Sequence, residues 1–275
     1  MPLPSGLPAE LPPALAGFTK GRYSAFGTER DVYRTGDGPA VIVVAEIPGI
    51  TPQVASFARK VAAAGFTAVL PHLFGVPGDE PTPARALSVM ARACVSKEFV
   101  ALARGRTSPV TGWLRALARD EHGRLGGPGV GVVGMCFTGG FALAMMVDPV
   151  VLAPVLSQPS LPFPISAANK RDLGVSAGDL ERAKRRAVEE DLCLLGLRFS
   201  EDKMSPPERF RRLKEEFGDR FVAVEIDSSP GNPEGYAKMA HSVLTNDLKD
   251  EEGSATRAAL EQVLDLFRSK LLRPA

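Results

Sequence analysis

The feature of this sequence that most constrains its fold is a continuous apolar run, rich in β-branched residues, at residues 40–45. Such a run is typical of a strand that is buried on both faces of a parallel sheet. Thr51 and Pro52 then suit the N-cap and first position of a helix, which Gly65 is placed to end. A second apolar run at residues 66–70 predicts the next strand. The segment therefore predicts a βαβ unit, whose strands are parallel because the crossover is right-handed.

The same alternation of apolar runs and amphipathic segments continues to the end of the chain. Further strands are predicted at residues 129–133, 149–155, 192–197 and 221–226, and helices at residues 139–147, 179–190, 206–217 and 260–271. Alternating strands and helices favour one α/β domain with a doubly wound, mostly parallel sheet and helices on both faces.

Three stretches fall outside this alternation. Residues 1–20 are rich in proline and predict an extended arm on the surface, which leaves residues 21–275 as the single domain. Residues 76–124 contain helical material between two strands, and residues 157–178 have little periodicity. We interpret both as insertions. Long connections of this kind form binding lids near the carboxyl ends of strands or add helical padding, and the sequence leaves both readings open.

Composition narrows the function classes. The 275 residues carry 33 basic and 32 acidic side chains, a net charge of +1, which gives no electrostatic reason to expect a nucleic-acid partner. Three cysteines cannot form a disulfide framework, and the N-terminus lacks the pattern of a secretory signal, so we predict a cytoplasmic protein. The uncharged residues 125–147 are rich in glycine and predict a strand and a helix, not a membrane span. We expect a monomer or a small homo-oligomer.

The most informative segment is G-M-C-F-T-G-G at residues 134–140, where a valine-rich strand gives way to a helix. In a nucleophile elbow, the nucleophile lies on a sharp strand-to-helix turn between two glycines, as in G-x-S-x-G. Gly134 and Cys136 keep that spacing, whereas the second glycine, Gly139, falls one place late. The pattern predicts that Cys136 is a nucleophile and that the backbone N–H of Phe137 faces the developing oxyanion. Taken alone, a cysteine also suits a small core position.

A nucleophile needs a base and an orienting acid, which follow it along the chain in the order acid, then histidine. His241 follows the last predicted strand, and Asp202 follows the strand at residues 192–197. Cys136, Asp202 and His241 thus each lie beyond the carboxyl end of a predicted strand. The neighbouring Glu201 is the open alternative for the acid, and each residue taken alone also suits an ordinary loop.

A competing motif lies in the same region. Gly129, Gly131 and Gly134 spell G-x-G-x-x-G, the pattern of a dinucleotide-binding turn. That turn lies between a strand and a helix, with an acidic residue about 20 positions later. Here the intervening valines belong to the predicted strand, and Asp148 comes too early. We therefore predict neither a nucleotide cofactor nor a metal, and a nucleotide-dependent oxidoreductase is only a third hypothesis.

Together these residues resemble the dienelactone hydrolase family of α/β-hydrolases. The resemblance extends from about residue 41 to residue 244. Five segments carry it: A-E-I-P-G-I at 45–50, P-H-L-F-G at 71–75, G-M-C-F-T-G-G at 134–140, S-E-D-K-M-S-P at 200–206 and A-H-S at 240–242. It implies the α/β-hydrolase fold and a Cys-His-Asp triad without a cofactor.

The resemblance also implies further site residues. Glu46 matches a glutamate that contacts the resting thiol in the family, and the backbone N–H of Ile47 matches the second oxyanion donor beside that of Phe137. His72 and Phe74, in the P-H-L-F-G segment, are expected beside the substrate. A capping or surface role is the alternative for His72.

The sequence departs from the family at the residues that hold the substrate. Family members that act on dienelactone carry two arginines for the substrate carboxylate, and Val76 and Thr245 stand at about those positions here. His72 replaces the acid of the family's P-D-L-Y segment. Because a carboxylate without a guanidinium partner loses its orientation, we predict a hydrolase of other carboxylic ester or lactone bonds that uses Cys136 through a thioester acyl-enzyme. The alternative is a non-catalytic binding or regulatory protein on the same scaffold.

Overall fold

The computed structural model of the protein describes residues 11–272, and in this part of the chain eight strands form one sheet. The strands are β1 Thr19–Ala25, β2 Thr28–Thr35, β3 Ala40–Val44, β4 Thr67–Pro71, β5 Val130–Met135, β6 Val151–Ser157, β7 Leu194–Phe199 and β8 Phe221–Ile226. Their order is β1-β2-β4-β3-β5-β6-β7-β8. Strand β2 is antiparallel to both of its neighbours, and every other neighbouring pair from β4 to β8 is parallel.

Helices connect the strands and flank both faces of the sheet. They are α1 Pro52–Ala63, α2 Pro83–Val95, α3 Val110–Leu125, α4 Phe141–Met145, α5 Ala167–Arg171, α6 Ala177–Glu189, α7 Pro207–Phe217 and α8 Ala255–Leu271. Helix α1 begins as predicted: the Thr51 hydroxyl accepts a hydrogen bond from the N–H of Val54, and Pro52 is the first helical residue.

Strand β3 illustrates how the core lies on both faces of the sheet. Ile42 and Val44 belong to the apolar cluster that α3, α4, α6 and α7 cover, and Val41 and Val43 belong to the cluster on the side of α1 and α8. All four side chains are fully buried. Successive side chains of a strand point to opposite faces, so a strand covered on both sides is apolar throughout. The predicted doubly wound, mostly parallel sheet with helices on both faces is confirmed.

The hairpin of β1 and β2 is the main part of the fold that the sequence analysis misses. Its turn residues, Phe26 and Gly27, have positive φ angles of 51° and 73°, as a two-residue type I′ hairpin turn requires. Phenylalanine is an uncommon residue in this conformation. In addition, the strand residues are mostly half-buried or exposed, so that their apolar pattern is weak.

The N-terminal arm requires a correction. Residues 1–10 of the predicted arm lie outside the described residues. In the remainder, Leu15 and Phe18 are buried in the cluster on the α1 side, and Arg59 of α1 donates a hydrogen bond to the carbonyl of Ala14 at 2.7 Å. Strand β1 then begins at Thr19. Because its apolar side chains enter the core, this part of the chain packs into the domain and is not an extended surface arm.

The two predicted insertions differ in how they pack. Helices α2 and α3 lie in the first insertion, and the short helix α5 lies in the second. Helix α3 buries seven residues, including Trp113 and Leu114, whereas Ala93 is the one buried residue of α2. The first insertion is thus part core and part surface cover. None of the described helices is long and apolar enough to cross a membrane.

Candidate active site

The carboxyl ends of four parallel strands meet at one edge of the sheet and carry the predicted site residues. Glu46 follows β3, Cys136 follows β5, Asp202 follows β7, and His241 lies in the loop after β8. Glu46 and Asp202 are buried, while Cys136 and His241 are half-buried. Ligand sites of open α/β sheets lie at this edge, so the four residues together form a candidate site.

Cys136 lies on a strained turn. Its φ angle is +53°, a left-handed conformation that side-chain-bearing residues rarely adopt. The turn needs small neighbours: a Cβ at Gly134 would overlap the carbonyl oxygen of Thr138, and a Cβ at Gly139 would lie 2.5 Å from the Cα of Pro159. Gly139 therefore serves as the second glycine of the elbow despite its shifted position. The turn projects the thiol at the end of the central strand, as in a nucleophile elbow.

His241 pairs with Asp202 and not with Glu201. The distance from His241 Nδ1 to Asp202 Oδ2 is 2.7 Å, and the other oxygen of Asp202 accepts a hydrogen bond from the N–H of Met204 at 2.8 Å. Glu201 instead lies 4.0 Å from Lys238. A carboxylate that is itself held in place fixes the orientation of the imidazole and stabilises its protonated form.

The imidazole of His241 also interacts with Cys136. Burial by itself lowers the pKa of His241, but the electrostatic influence of Cys136 and the hydrogen bond to Asp202 outweigh burial and raise this pKa well above its ordinary value. The backbone N–H groups of His241 and Ser242 both donate to Asp247 Oδ2 at 2.8 Å, which fixes the loop that carries the ring. The loop thus carries an imidazole that Asp202 orients and whose proton affinity depends on Cys136.

Glu46 is held away from bulk solvent by hydroxyl and amide donors. Its Oε2 accepts hydrogen bonds from Ser242 Oγ at 2.8 Å and from Gln158 Nε2 at 3.3 Å, and its Oε1 accepts one from Thr245 Oγ1. Burial raises the pKa of Glu46 above its ordinary value, although the hydrogen bond from Thr245 and the charge of His241 act in the opposite direction. Its hydrogen bonds thus tie the loop of His241 to the segment after β6.

The Cys136 thiol has a hydrogen-bond partner that the sequence analysis misses. Ser160 Oγ lies 3.8 Å from Cys136 Sγ and donates its own proton to the carbonyl of Gln158 at 3.1 Å, while the backbone N–H of Ser160 donates to the carbonyl of Cys136 at 2.9 Å. Ser160 therefore holds the backbone of the elbow and places a hydroxyl oxygen beside the thiol. Ser160 follows strand β6, which lies beside β5 in the sheet. This position alone indicated that Ser160 lies near Cys136.

The two predicted oxyanion donors occupy matching places. Strands β3 and β5 are adjacent and parallel, and Val44 pairs with Gly134 in their register. Ile47 and Phe137 each lie three positions beyond this pair, so their backbone N–H groups come from neighbouring strand ends. Paired backbone donors at such a point are suited to a developing negative charge.

The comparisons with known proteins agree with this geometry. A sequence model of the dienelactone hydrolase family matches residues 30–271, most of the chain. The chain belongs to the dienelactone hydrolase family. A search of curated proteins found no match. Membership of a hydrolase family confirms the prediction of a hydrolytic enzyme and implies a small-molecule substrate.

Solved structures support the fold at low sequence identity. A dienelactone hydrolase from Anabaena variabilis has a TM-score of 0.56 and 15% identity, with coverage of 92% of this chain and 98% of that chain. The dienelactone hydrolase-like promiscuous phosphotriesterase P91, from metagenomic libraries, has a TM-score of 0.58 and 16% identity over 92% and 98% of the two chains. A thioesterase domain from the curacin biosynthetic pathway has a TM-score of 0.54 and 13% identity over 90% and 99%. These likenesses confirm the α/β-hydrolase fold.

Within this dienelactone hydrolase family member, the two residues predicted beside the substrate have different surroundings. The ring of Phe74 packs edge-to-face against that of Phe137, with 6.0 Å between centroids. His72 Nε2 lies 3.1 Å from the carbonyl oxygen of Gly75, and the residue faces a hollow that it shares with Arg22 of the hairpin. Phe74 thus lies next to the elbow, whereas the substrate role of His72 stays a prediction.

A buried arginine in β7, also missed in the sequence analysis, holds the turn that carries Asp202. Arg198 is 1% exposed and donates to the carbonyls of Ser205 at 2.8 Å, Ser200 at 2.9 Å and Asp202 at 3.4 Å. It also forms an ion pair with Glu225 of β8, its partner in the strand register. A charged residue inside an otherwise apolar strand was the available signal, since a buried charge requires fixed partners.

The competing glycine motif does not form a nucleotide-binding loop. Gly131 and Gly134 lie within strand β5, and Gly129 immediately precedes it. The side chain of a residue at Gly131 would meet the ring of Phe267, with a Cβ-to-ring distance of 2.9 Å. Gly131 therefore allows the sheet to pack against α8, and Gly134 allows the tight turn of the elbow. Among the described residues, no group of three or more His, Cys, Asp or Glu residues is arranged to hold a metal ion.

Proposed function

We propose that the protein hydrolyses carboxylic ester or lactone bonds through a thioester acyl-enzyme on Cys136. The observation that carries the proposal is the placement of Cys136 on a left-handed turn at the end of β5, with an imidazole that interacts with both Cys136 and Asp202. An accessible thiol, a base and an orienting carboxylate are the three groups that nucleophilic acyl transfer requires.

The proposed reaction has two halves. The Cys136 thiolate attacks the carbonyl carbon, and the electron pair of the C=O bond moves to the oxygen, which the N–H groups of Ile47 and Phe137 stabilise. When the intermediate collapses, the C–O bond of the ester breaks and the leaving oxygen takes a proton from His241. Water then attacks the thioester with His241 as base, which releases the carboxylic acid and regenerates the thiolate. Asp202 holds the ring throughout.

The substrate bond is proposed to belong to a molecule without the carboxylate of dienelactone. Thr245 stands where the family has one of the two substrate arginines, and its hydroxyl is engaged by Glu46. Val76, at the other position, is an apolar side chain that is 63% exposed. Neither residue supplies the bidentate donor that orients a carboxylate.

The proposal is tested with an activated ester such as p-nitrophenyl acetate in stopped flow. We expect a burst of one p-nitrophenolate per active site, and a mass increase of one acetyl group on Cys136 after rapid acid quench. Cys136→Ala should show neither. Cys94→Ser is the matched control, because it removes another half-buried thiol and should leave the burst unchanged.

The outcomes separate the candidate functions. A Cys136→Ala protein with full activity would overturn the cysteine mechanism. A folded wild-type protein with neither a burst nor steady-state turnover of esters or lactones would favour the non-catalytic alternative. Since solved relatives include proteins named phosphotriesterase and thioesterase, the screen should include those substrate classes.

All three cysteines are free thiols, which supports the predicted cytoplasmic location. The expected oligomeric state and the lack of a nucleic-acid partner stay predictions.

A further inference from the structure

A cavity of about 420 Å³ lies between the turn after β3, the segment after β4 and helix α2. Its volume is within the usual range for small-molecule sites. Most of its lining is apolar, and the side chains that form it include Pro48, Leu73, Phe74, Val89, Ala93 and Phe99. The reaction proposed above gives this cavity no role.

The cavity adjoins the elbow through aromatic rings. The centroids of Phe74 and Phe99 lie 6.0 Å and 5.3 Å from that of Phe137, which follows the nucleophile. On another side, the cavity is lined by Pro48, which follows the oxyanion donor Ile47. Cys136 is not part of the lining but immediately precedes Phe137 in the chain. A group bonded to a carbonyl at Cys136 therefore has this apolar space beside it.

The charged groups at the cavity are largely engaged by the protein itself. Arg85 pairs with Asp79 at 3.1 Å, and Glu98 pairs with Arg30 at 2.6 Å. Arg92 donates to Ser88 Oγ at 2.9 Å on its own helix. Since Arg85 and Glu98 are paired with opposite charges and most of the lining surface is apolar, the cavity suits an uncharged hydrocarbon group.

Helix α2 covers this space with few contacts of its own. Val89 and Ala93 line the cavity, and Ala93 is the one buried residue among the thirteen of the helix. Leu87, on the outer side, is 71% exposed. A hydrocarbon group in the cavity would give the inner face of α2 an apolar partner.

We infer that this cavity binds the alkyl or aryl group of an ester substrate, and that Val89 and Ala93 of α2 set the size of group accepted. The inference rests on the proposed hydrolysis at Cys136. Each methylene moved from water into the cavity should raise kcat/KM about three- to fourfold until the space is filled.

The test is kcat/KM for p-nitrophenyl esters from acetate to octanoate. The wild-type protein should prefer hexanoate to acetate by at least tenfold. Ala93→Trp should lower the hexanoate-to-acetate ratio by at least tenfold, because the indole occupies the cavity. Leu87→Trp, at an exposed position of the same helix, should leave the ratio unchanged. Val89→Ala enlarges the space and should move the best substrate to a longer chain, which provides an independent test if Ala93→Trp does not fold.

The outcomes distinguish this inference from the proposed function. If none of the esters from acetate to octanoate is turned over, the hydrolytic proposal itself fails. If acetate is hydrolysed but the chain length has no effect, or Ala93→Trp leaves the ratio intact, the inference about the cavity is wrong. A preference for the p-nitrophenyl monoester of adipic acid over the hexanoate ester would also overturn it, since a terminal carboxylate and not a hydrocarbon group would then be recognised.

Discussion

The carboxyl group of Glu46 and the hydroxyl of Thr245 are joined by a hydrogen bond across 199 positions of the chain. Thr245 lies four residues beyond His241. Its hydrogen bond to Glu46 therefore fixes both the buried acid and the loop that carries the imidazole. The same carboxyl group accepts a second hydrogen bond, from the hydroxyl of Ser242. The site therefore depends on a buried acid that is satisfied by neutral donors.

We expect Thr245→Val to destabilise the protein by about 1–3 kcal/mol at neutral pH, because it leaves a buried carboxyl oxygen without its donor. The Thr245 hydrogen bond lowers the pKa of Glu46, so its loss raises that pKa further. Ionisation of Glu46 in the folded state then costs more free energy. The loss of unfolding free energy relative to wild type should therefore grow from acid to neutral pH. Urea unfolding at pH 5 and pH 8 measures this, with Thr245→Ser as the control that keeps the hydroxyl. An equal deficit at both pH values would contradict the interpretation.

Arg198 provides a second test, of how the acid is positioned. We expect Arg198→Met to lower kcat/KM by about tenfold or more, because the turn that aims Asp202 at His241 loses its internal donors. A weaker contact with Asp202 also lowers the pKa of His241, since Asp202 is one of the groups that raise it. The limb of the pH–rate profile that reports His241 should therefore move to lower pH.

The control for Arg198 is its ion-pair partner. Glu225→Gln removes the charge of a half-exposed side chain but leaves the bonds from Arg198 to the carbonyls of the turn. This variant should keep the wild-type pH–rate profile. A folded Arg198→Met protein with an unshifted profile would mean that Arg198 serves only the packing of the sheet.

Sequence reasoning succeeds where one property is repeated along the chain. The apolar runs at β3, β5 and β7 identify parallel strands, and the carboxyl ends of these strands identify Glu46, Cys136 and Asp202 as residues of one edge of the sheet. The choice between Asp202 and Glu201 depends on which way each side chain points after β7, which no local pattern encodes. The structure resolves it through the 2.7 Å contact with His241.

The features that sequence reasoning misses depend on contacts between distant loops. Ser160 reaches Cys136 from the segment after β6, and Asp247 holds the backbone of His241 from within the same long loop. Both are common polar residues in irregular segments, where many positions look alike. The hairpin of β1 and β2 is not predicted from the sequence for another reason. Its half-exposed strands carry little apolar periodicity.

The raised pKa of His241 predicts a pH dependence of stability. The folded state binds the imidazole proton more tightly than the unfolded chain, because Cys136 and Asp202 outweigh burial and raise the pKa above its ordinary value. This contribution is complete below the unfolded pKa of about 6.5 and is lost as the pH rises through the folded pKa. The difference in unfolding free energy between wild type and His241→Asn should therefore shrink from pH 6 to alkaline pH. A difference that grows with pH would contradict a raised pKa of His241 in the folded protein.

Selective alkylation tests the state of Cys136 without any substrate. All three cysteines are half-buried, so exposure alone gives no selectivity, and burial raises the pKa of the Cys94 thiol. Only the thiolate reacts with iodoacetamide. With sub-stoichiometric reagent at pH 7, peptide mapping should therefore place most of the label on Cys136, the cysteine that influences the protonation of His241. His241→Asn should lower this rate by about tenfold while leaving the rates of Cys94 and Cys193 unchanged. Equal labelling of the three thiols in wild type would show that His241 does not activate the nucleophile in the free protein.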